Sequence, residues 1–349
     1  CKKIADEAAF IIKKFRNHPS LVLWAGDNEV DAILYQNHTL PSLNILTRKV
    51  LPEAVKENDY NRPYLPSSPY ICDELAAAQR DDLLPEFHLW GPRDYFKSSF
   101  YTTAKAHFFS ETGYHGCPSK KSLEKFISPE KLWPYTNNSE WNLHSSDQRD
   151  NDYRVLLMEK QVRQLFGEVP DNLDDYTFAS QVSQAEAKKF FIENVRTQKP
   201  VKSGILWWNL LDGWPQMSDA VVDWYFVKKL AYDYIKRSQA PFCVMIGAME
   251  SWHLPVIAVN DTLNPLSGEV RVCDQNGIPL FEREFSIPAD GYSVIERIPA
   301  MYSDKALFLI EWRTQNGRGT NHFVTGAPPF SLKQYQDWHE KITAFSKER

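Results

Sequence analysis

Apolar residues follow two different spacings along this chain. In the first 240 residues, short unbroken apolar runs alternate with stretches in which apolar residues recur every three or four positions. Unbroken runs are typical of strands buried on both faces, and the longer period is typical of amphipathic helices. From about residue 241, short runs are separated by turn-forming pairs such as Asn276-Gly277 and Asn316-Gly317. The pattern therefore predicts an α/β region with a parallel sheet, followed by an antiparallel β-sandwich.

The individual elements follow from the same pattern. Strands are predicted over residues 21–25, 62–68, 83–90, 106–110 and 203–209, and helices over 4–15, 42–57, 153–166, 180–197 and 223–237. The second region has predicted strands at 256–259, 269–273, 281–287 and 307–312. A last helix is expected after Pro328-Pro329, with an apolar face formed by Leu332, Tyr335, Ile342 and Phe345. We therefore expect two domains, residues 1–240 and 241–349.

Composition narrows the class of protein. The chain has 349 residues, 43% of them hydrophobic and 24% charged, with a formal net charge of −5. No apolar run is long enough for a membrane span, and no basic stripe favours nucleic acid. Five cysteines, at positions 1, 72, 117, 243 and 273, form no C-x-x-C pair, which argues against a disulfide framework or a zinc site. Aromatic residues make up 13% of the chain, which suits both large cores and stacking on sugar rings.

Two glutamates carry the candidate chemistry. Glu29 closes the apolar run that starts at residue 21, and Glu111 closes the run at 106–110. A carboxylate at the carboxyl end of a buried strand occupies the position where barrel enzymes keep their catalytic groups. Cleavage of a glycosidic bond needs two carboxyl groups, one ionised and one protonated, about 5 to 5.5 Å apart in retaining enzymes. The alternative is that one of the two is a structural ion-pair partner.

Five motifs in series resemble glycoside hydrolase family 2, and most closely its β-mannosidase branch. The resemblance covers essentially the whole chain, with the motifs in the family's order. The motifs are Arg16-Asn17-His18-Pro19-Ser20, Trp24-Ala25-Gly26-Asp27-Asn28-Glu29, His88-Leu89-Trp90, Phe109-Ser110-Glu111-Thr112-Gly113-Tyr114 with Pro118-Ser119, and Gly204-Ile205-Leu206-Trp207-Trp208-Asn209-Leu210-Leu211-Asp212-Gly213-Trp214-Pro215.

The resemblance implies roles for particular residues. Glu29 would be the general acid/base on barrel strand four, and Glu111 the nucleophile on strand seven. Asn28 would bind the sugar 2-hydroxyl, which its position next to Glu29 favours; the alternative is an amide that caps a turn at the strand end. The remaining predicted substrate-binding residues, each with core packing as the alternative, are Trp208 as a platform under the sugar, His88 and Trp90 after strand six, and Tyr114.

The resemblance also implies a fold. Residues 1–240 would be the C-terminal part, strands 4–8, of a TIM (β/α)8 barrel, and residues 241–349 an immunoglobulin-like β-sandwich with a C-terminal helix. The first three strands and the preceding domains of the family would then be absent, so we expect this piece alone to be inactive. The resemblance implies an oligosaccharide or glycoside substrate, no cofactor or metal, and a periplasmic, secreted or lysosomal parent. The oligomeric state stays open.

Several positions depart from the family pattern and leave the sugar open. Thr112 stands where an aromatic residue is usual, and Asp219 where a tryptophan is common; Asp27 and Leu211 replace more usual asparagines. A β-galactosidase, β-glucuronidase or exo-β-glucosaminidase specificity is therefore an alternative to β-mannosidase. A non-catalytic carbohydrate-binding or scaffold fragment is a third interpretation.

Overall fold

The computed structural model describes residues 1–146, 148–149 and 152–347. Its helices are α1 (Lys2–Phe15), α2 (Val30–Gln36), α3 (Leu51–Asn58), α4 (Asp73–Ala78), α5 (Ser99–Thr102), α6 (Lys120–Leu123), α7 (Ser139–Leu143), α8 (Arg154–Phe166), α9 (Leu173–Arg196), α10 (Leu230–Ser238) and α11 (Leu332–Lys347). Its strands are β1 (Trp24–Asn28), β2 (Tyr64–Ser68), β3 (Glu86–Leu89), β4 (Phe108–Thr112), β5 (Gln148–Arg149), β6 (Asp152–Tyr153), β7 (Gly204–Ile205), β8 (Phe242–Ile246), β9 (His253–Asn260), β10 (Leu266–Cys273), β11 (Pro279–Ile287), β12 (Gly291–Pro299), β13 (Ala306–Thr314) and β14 (Gly317–Thr325). Within the described ranges, none of the helices has the length and apolar character needed to cross a bilayer.

The chain forms two compact units. The first unit comprises Cys1–Leu89 and Thr103–Thr112, and the second comprises Trp90–Thr102 and Gly113–Arg349. The predicted division into domains at residue 240 stays a prediction. The helix α10 ends at Ser238 and the first long antiparallel strand, β8, begins at Phe242.

Parallel strand pairs organise the first unit. β1 pairs with β2, and β3 pairs with β4, both in parallel. Helix α1 is amphipathic, and its residue Ile12 packs against Ala54 and Val55 of α3 in a small apolar core. The carboxyl ends of these strands are therefore the natural place for polar side chains of the unit.

A long helix, α9, lies at the centre of the helical part of the second unit. It begins at an N-cap, Asn172, whose side-chain oxygen accepts a hydrogen bond from the Asp175 amide at 3.0 Å. Helix α10 packs along it, so that Ala185 and Ile192 share a core with Tyr234 and neighbouring apolar residues.

Two antiparallel sheets complete the second unit, with strand orders β11-β10-β13-β14 and β12-β9-β8. Both sheets contribute to one apolar core, in which Val244 and Val256 from one sheet join Val270 and Ile310 from the other. The predicted turn at Asn276-Gly277 joins β10 to β11, with Gly277 at a φ of 78°.

The C-terminal helix α11 is attached to α9 and β14 through buried polar groups. Glu186 of α9 accepts hydrogen bonds from His322 Nε2 of β14, at 2.9 Å, and from the Tyr335 hydroxyl of α11. On α11 the fully buried residues are Tyr335, Trp338 and Ile342, so the predicted apolar face holds only in part.

Some predicted elements differ from the structure. The strand predicted from residue 21 begins at Trp24, and Val22 is 73% exposed, because pairing with β2 starts only at the Trp24–Tyr64 position. The helix predicted from residue 223 begins at Leu230, because Asp223 Oδ1 accepts from the amides of Tyr225 and Val227 and closes a turn there. The strand predicted over 203–209 is confined to Gly204–Ile205.

Candidate active site

Four strand ends of the first unit supply the polar residues of the site. Glu29 directly follows β1 and has a left-handed backbone conformation, φ 66°, just before α2. Its amide donates a hydrogen bond to the Ser68 carbonyl at 2.8 Å, next to the pairing of Asn28 with Ser68. This arrangement fixes the start of the Glu29 side chain against the end of β2.

A bulge brings Glu111 beside His88. Phe87 pairs with Phe109, but the next residue of β3, His88, pairs with Glu111, so Ser110 is an extra residue in β4. Bulges of this kind re-aim side chains next to functional sites. In an unbroken register Glu111 would pair one position further along β3.

The two predicted catalytic glutamates meet at one histidine. Nδ1 of His88 lies 2.8 Å from Glu29 Oε1 and 3.2 Å from Glu111 Oε2. The His88 side chain is 5% exposed, whereas those of Glu29 and Glu111 are 39% and 15% exposed. The buried imidazole thus lies between two carboxyl groups, of which Glu29 is the more exposed to solvent.

The spacing of these groups fits two kinds of chemistry. One ligand atom from each of Glu29, His88 and Glu111 lies within 4.8 Å of the others. Carboxyl groups at about this separation suit a double displacement at a sugar carbon. The same three side chains could also hold a divalent transition metal, since imidazole and carboxylate are a common mixed ligand set.

Two polar residues that the sequence pattern did not predict lie behind His88, namely Ser68 and Glu86. Nε2 of His88 is 3.3 Å from Ser68 Oγ, and this hydroxyl donates to Glu86 Oε1 at 2.6 Å. The other oxygen of Glu86 accepts from the Tyr70 amide at 3.0 Å. Ser68 could have been predicted as a site residue from the sequence, because it closes a predicted strand just as Glu29 does.

The surroundings of β1 are held by further polar contacts. Asp27, which replaces a more usual asparagine, accepts hydrogen bonds from the Ser67 hydroxyl and, at 3.0 Å, from the Asn44 side chain. Asp31 forms an ion pair with Arg48 at 2.7 Å, and burial raises the pKa of Asp31 despite that partner. Beside Glu29, the side chain of Asn28 is exposed.

The other predicted site residues belong to the second unit. Trp208 is 50% exposed and its carbonyl accepts from the buried Lys188 ammonium, while Trp207 packs against the core of α9 and α10. The Arg93 guanidinium lies 4.4 Å from the centre of the Trp90 ring. Whether Trp208 and Trp90 bind sugar stays a prediction.

Tyr114 lies in the interior of the second unit. Its side chain is 1% exposed, and its hydroxyl donates to the Asp94 carbonyl at 2.7 Å. Its ring is in contact with Phe96 and Phe191. These contacts are those of a core residue and leave its predicted contact with substrate unsupported.

Asp219 is a buried anion in the same unit. It pairs with Arg93 at 3.1 Å and with His115 at 3.2 Å. Burial opposes its ionisation, but the attraction of His115 and Arg93 lowers the pKa of Asp219 far below its usual range. The carboxylate that stands at a common tryptophan position is therefore held by one guanidinium and one imidazole, and burial lowers the pKa of that imidazole, His115.

Comparison with known proteins gives a consistent result. No model of a known protein family matches the chain. Among curated proteins, β-mannosidase B of Thermothelomyces thermophilus is 26% identical over 280 residues, 72% of this chain and 31% of its own length. β-Mannosidase A of Aspergillus terreus is 26% identical over 329 residues, 79% of this chain and 34% of its own length. The chain thus spans about a third of these relatives.

Solved structures agree with the sequence comparison. The β-D-mannosidase of Dictyoglomus thermophilum matches 94% of this chain and 40% of its own with a TM-score of 0.79 at 26% identity. The exo-chitosanase of Amycolatopsis orientalis matches 96% of this chain and 42% of its own with a TM-score of 0.69, at 17% identity, which shows similarity of fold alone. The mixed α/β fold with several sheets is therefore similar to that of a β-mannosidase. The resemblance of this chain to the β-mannosidase branch of glycoside hydrolase family 2, which its five motifs predict, is thereby confirmed.

Proposed function

We propose that this chain carries the catalytic carboxyl groups of a retaining, exo-acting β-glycosidase that hydrolyses terminal β-mannosides. The observation that carries the proposal is the meeting of Glu29 and Glu111 at His88, within 4.8 Å. The similarity to β-mannosidases supports the choice of sugar.

The proposed mechanism is a double displacement. Glu111 attacks the anomeric carbon and forms a glycosyl ester while Glu29 gives its proton to the departing oxygen. Glu29 then removes a proton from water, which attacks the same carbon and releases Glu111. The exposure of Glu29, 39% against 15% for Glu111, suits the group that must exchange protons with both aglycone and water.

The proposed architecture follows the resemblance. Residues 1–240 form strands 4–8 of a (β/α)8 barrel, and residues 241–349 form an immunoglobulin-like sandwich with a C-terminal helix. The parallel pairs β1–β2 and β3–β4 and the two antiparallel sheets with a common core support this assignment. Because β1 pairs only with β2 among the described residues, and a barrel needs a closed ring of strands, we expect the 349-residue chain alone to turn over poorly.

Substitution of Glu111 tests the proposal. The assay uses the 349-residue chain and, where the gene encodes a longer polypeptide, that polypeptide. Glu111→Ala should lower turnover of a nitrophenyl β-mannoside by about 10³-fold or more, because the nucleophile is lost. Azide or formate should restore activity on this activated substrate by taking the place of the carboxylate.

Controls separate the role of Glu111 from damage to the fold. Glu53→Ala removes an exposed glutamate of α3 in the same unit and should leave turnover unchanged. Wild-type turnover in Glu111→Ala would contradict the proposal. A panel of nitrophenyl β-mannoside, galactoside, glucuronide and glucosaminide substrates decides among the four specificities. Turnover of none of them by a polypeptide with a closed barrel favours the non-catalytic alternative.

A further inference from the structure

The hydrogen bonds behind His88 determine which of its ring nitrogens carries a proton. The Ser68 hydroxyl has a single proton, and it points to Glu86 Oε1 at 2.6 Å. Glu86 is an acceptor at both oxygens, since its Oε2 receives the Tyr70 amide at 3.0 Å. The Ser68 oxygen can therefore only accept from His88 Nε2, 3.3 Å away, so the proton of a neutral imidazole sits on Nε2.

This tautomer leaves Nδ1 of His88 without a proton of its own. Its neighbours are Glu29 Oε1 at 2.8 Å and Glu111 Oε2 at 3.2 Å. Nδ1 could then only accept a hydrogen bond, and two ionised carboxylates have no proton to donate to it. One proton must therefore lie between Nδ1 and a carboxyl oxygen, and the shorter distance assigns it to Glu29. If that proton is bound to Nδ1 of His88 and not to Glu29, the number of protons that Glu29 and His88 hold together is unchanged.

We propose that Glu86 and Ser68 are positioning residues that fix the tautomer of His88, so that the proton of the general acid is held between Glu29 and His88 Nδ1. The role of this proton in catalysis rests on the proposed function, whereas the assignment of the His88 tautomer does not. It also changes the role of His88 from a predicted substrate ligand to a partner of the acid/base.

The held proton has a place in each half of the reaction. In the first step the bond from Glu111 to the anomeric carbon forms, the bond to the aglycone oxygen breaks, and the shared proton moves to that oxygen. In the second step a water proton returns to the Glu29–His88 pair as the water oxygen bonds to the anomeric carbon and the Glu111 ester bond breaks. The Glu29–His88 pair then holds the same number of protons as before the reaction.

Glu86→Gln exchanges donors and acceptors in the hydrogen bonds from residue 86 through Ser68 to His88. The amide can donate to Ser68 Oγ, which frees the hydroxyl to donate to Nε2 and moves the ring proton to Nδ1. Acid catalysis matters for a poor leaving group and hardly for a very good one. We expect kcat/KM for phenyl β-mannoside to fall at least about tenfold and that for the 2,4-dinitrophenyl β-mannoside to change less than about threefold.

The matched variants make the result specific. Ser68→Ala removes the acceptor for Nε2 and should show the same selective loss, which guards against a failure of Glu86→Gln to fold. Glu53→Gln, on the exposed side of α3, should change neither substrate. An equal loss on both substrates, or no loss on either, would overturn the inference.

A second readout is independent of turnover. The ¹⁵N shifts of labelled histidine in the 349-residue chain, with His88 assigned from its missing signals in His88→Gln, report which ring nitrogen is protonated. We expect the proton of the neutral ring on Nε2 in the wild type and on Nδ1 in Glu86→Gln. An Nδ1-protonated neutral ring in the wild type would refute the tautomer, whereas absence of all glycosidase activity from a polypeptide with a closed barrel would refute only the proposed function.

Discussion

Replacing His322 with glutamine should make the stability of the protein less sensitive to acid. His322 lies on β14, is 1% exposed, and donates from Nε2 to Glu186 at 2.9 Å. Its Nδ1 has no hydrogen-bond partner among the residues that the structure describes. Burial lowers the pKa of His322 to about 4, even though Glu186 favours the charged ring.

The sign and size of the effect follow from the difference between the folded and unfolded states. The unfolded chain binds a proton at His322 near pH 6.5, whereas the folded chain binds it only near pH 4. The contribution of His322 to the free energy of unfolding is therefore constant above pH 6.5 and falls as the pH drops toward 4. With about 1.4 kcal/mol for each pH unit, the loss from pH 7 to pH 4 is about 3 kcal/mol.

Urea unfolding at pH 7 and pH 4, followed by tryptophan fluorescence, measures this loss. A glutamine amide can donate to Glu186 as Nε2–H does but takes up no proton, so His322→Gln should lose about 3 kcal/mol less than the wild type over this range. The exposed His18→Gln should keep the wild-type dependence. An unchanged pH dependence in His322→Gln would refute the assigned protonation state.

Three further outcomes are expected. Because the two carboxyl groups of the candidate site come within 4.8 Å, hydrolysis should retain the anomeric configuration, so proton NMR should show the β-sugar first; initial α-sugar would contradict this. Zinc ions should inhibit turnover competitively with substrate by binding the same two carboxylates and imidazole, and absent or non-competitive inhibition would count against that ligand set. Gly268→Ala should destabilise the protein by about 2 kcal/mol, since its Cβ would lie 2.0 Å from the Arg313 carbonyl oxygen, whereas Gly213→Ala, with open space around it, should stay within about 0.5 kcal/mol; equal urea midpoints would contradict the packing argument.

The placement of the two glutamates at strand ends could be predicted because each closes an apolar run, whereas their catalytic roles stay predictions. Their contact through His88 could not, because it depends on the extra residue Ser110 in β4, and no spacing in the sequence marks a bulge. The Ser68–Glu86 pair was missed for a related reason. Its members are ordinary polar residues, and their importance comes only from the direction of one hydroxyl proton.

Strand prediction failed where polar residues are buried. β14 contains Asn321 and His322, both nearly inaccessible, so its sequence shows no apolar alternation. Asn321 donates to Glu193 at 2.7 Å and His322 Nε2 donates to Glu186 at 2.9 Å, and both acceptors belong to α9. These partners lie on a helix more than a hundred residues away in the sequence, and their hydrogen bonds offset the cost of burying the two polar side chains. The local sequence pattern therefore cannot predict the strand.

Covalent trapping identifies the residue that forms the glycosyl ester. A 2-deoxy-2-fluoro-β-mannosyl substrate with a dinitrophenyl leaving group slows the release of the glycosyl ester more than its formation, and peptide mass spectrometry locates the attached sugar. We expect the label on Glu111, at equal stoichiometry when Glu53 is replaced and absent in Glu111→Ala. Attachment to any other residue of a protein that hydrolyses β-mannosides would contradict it.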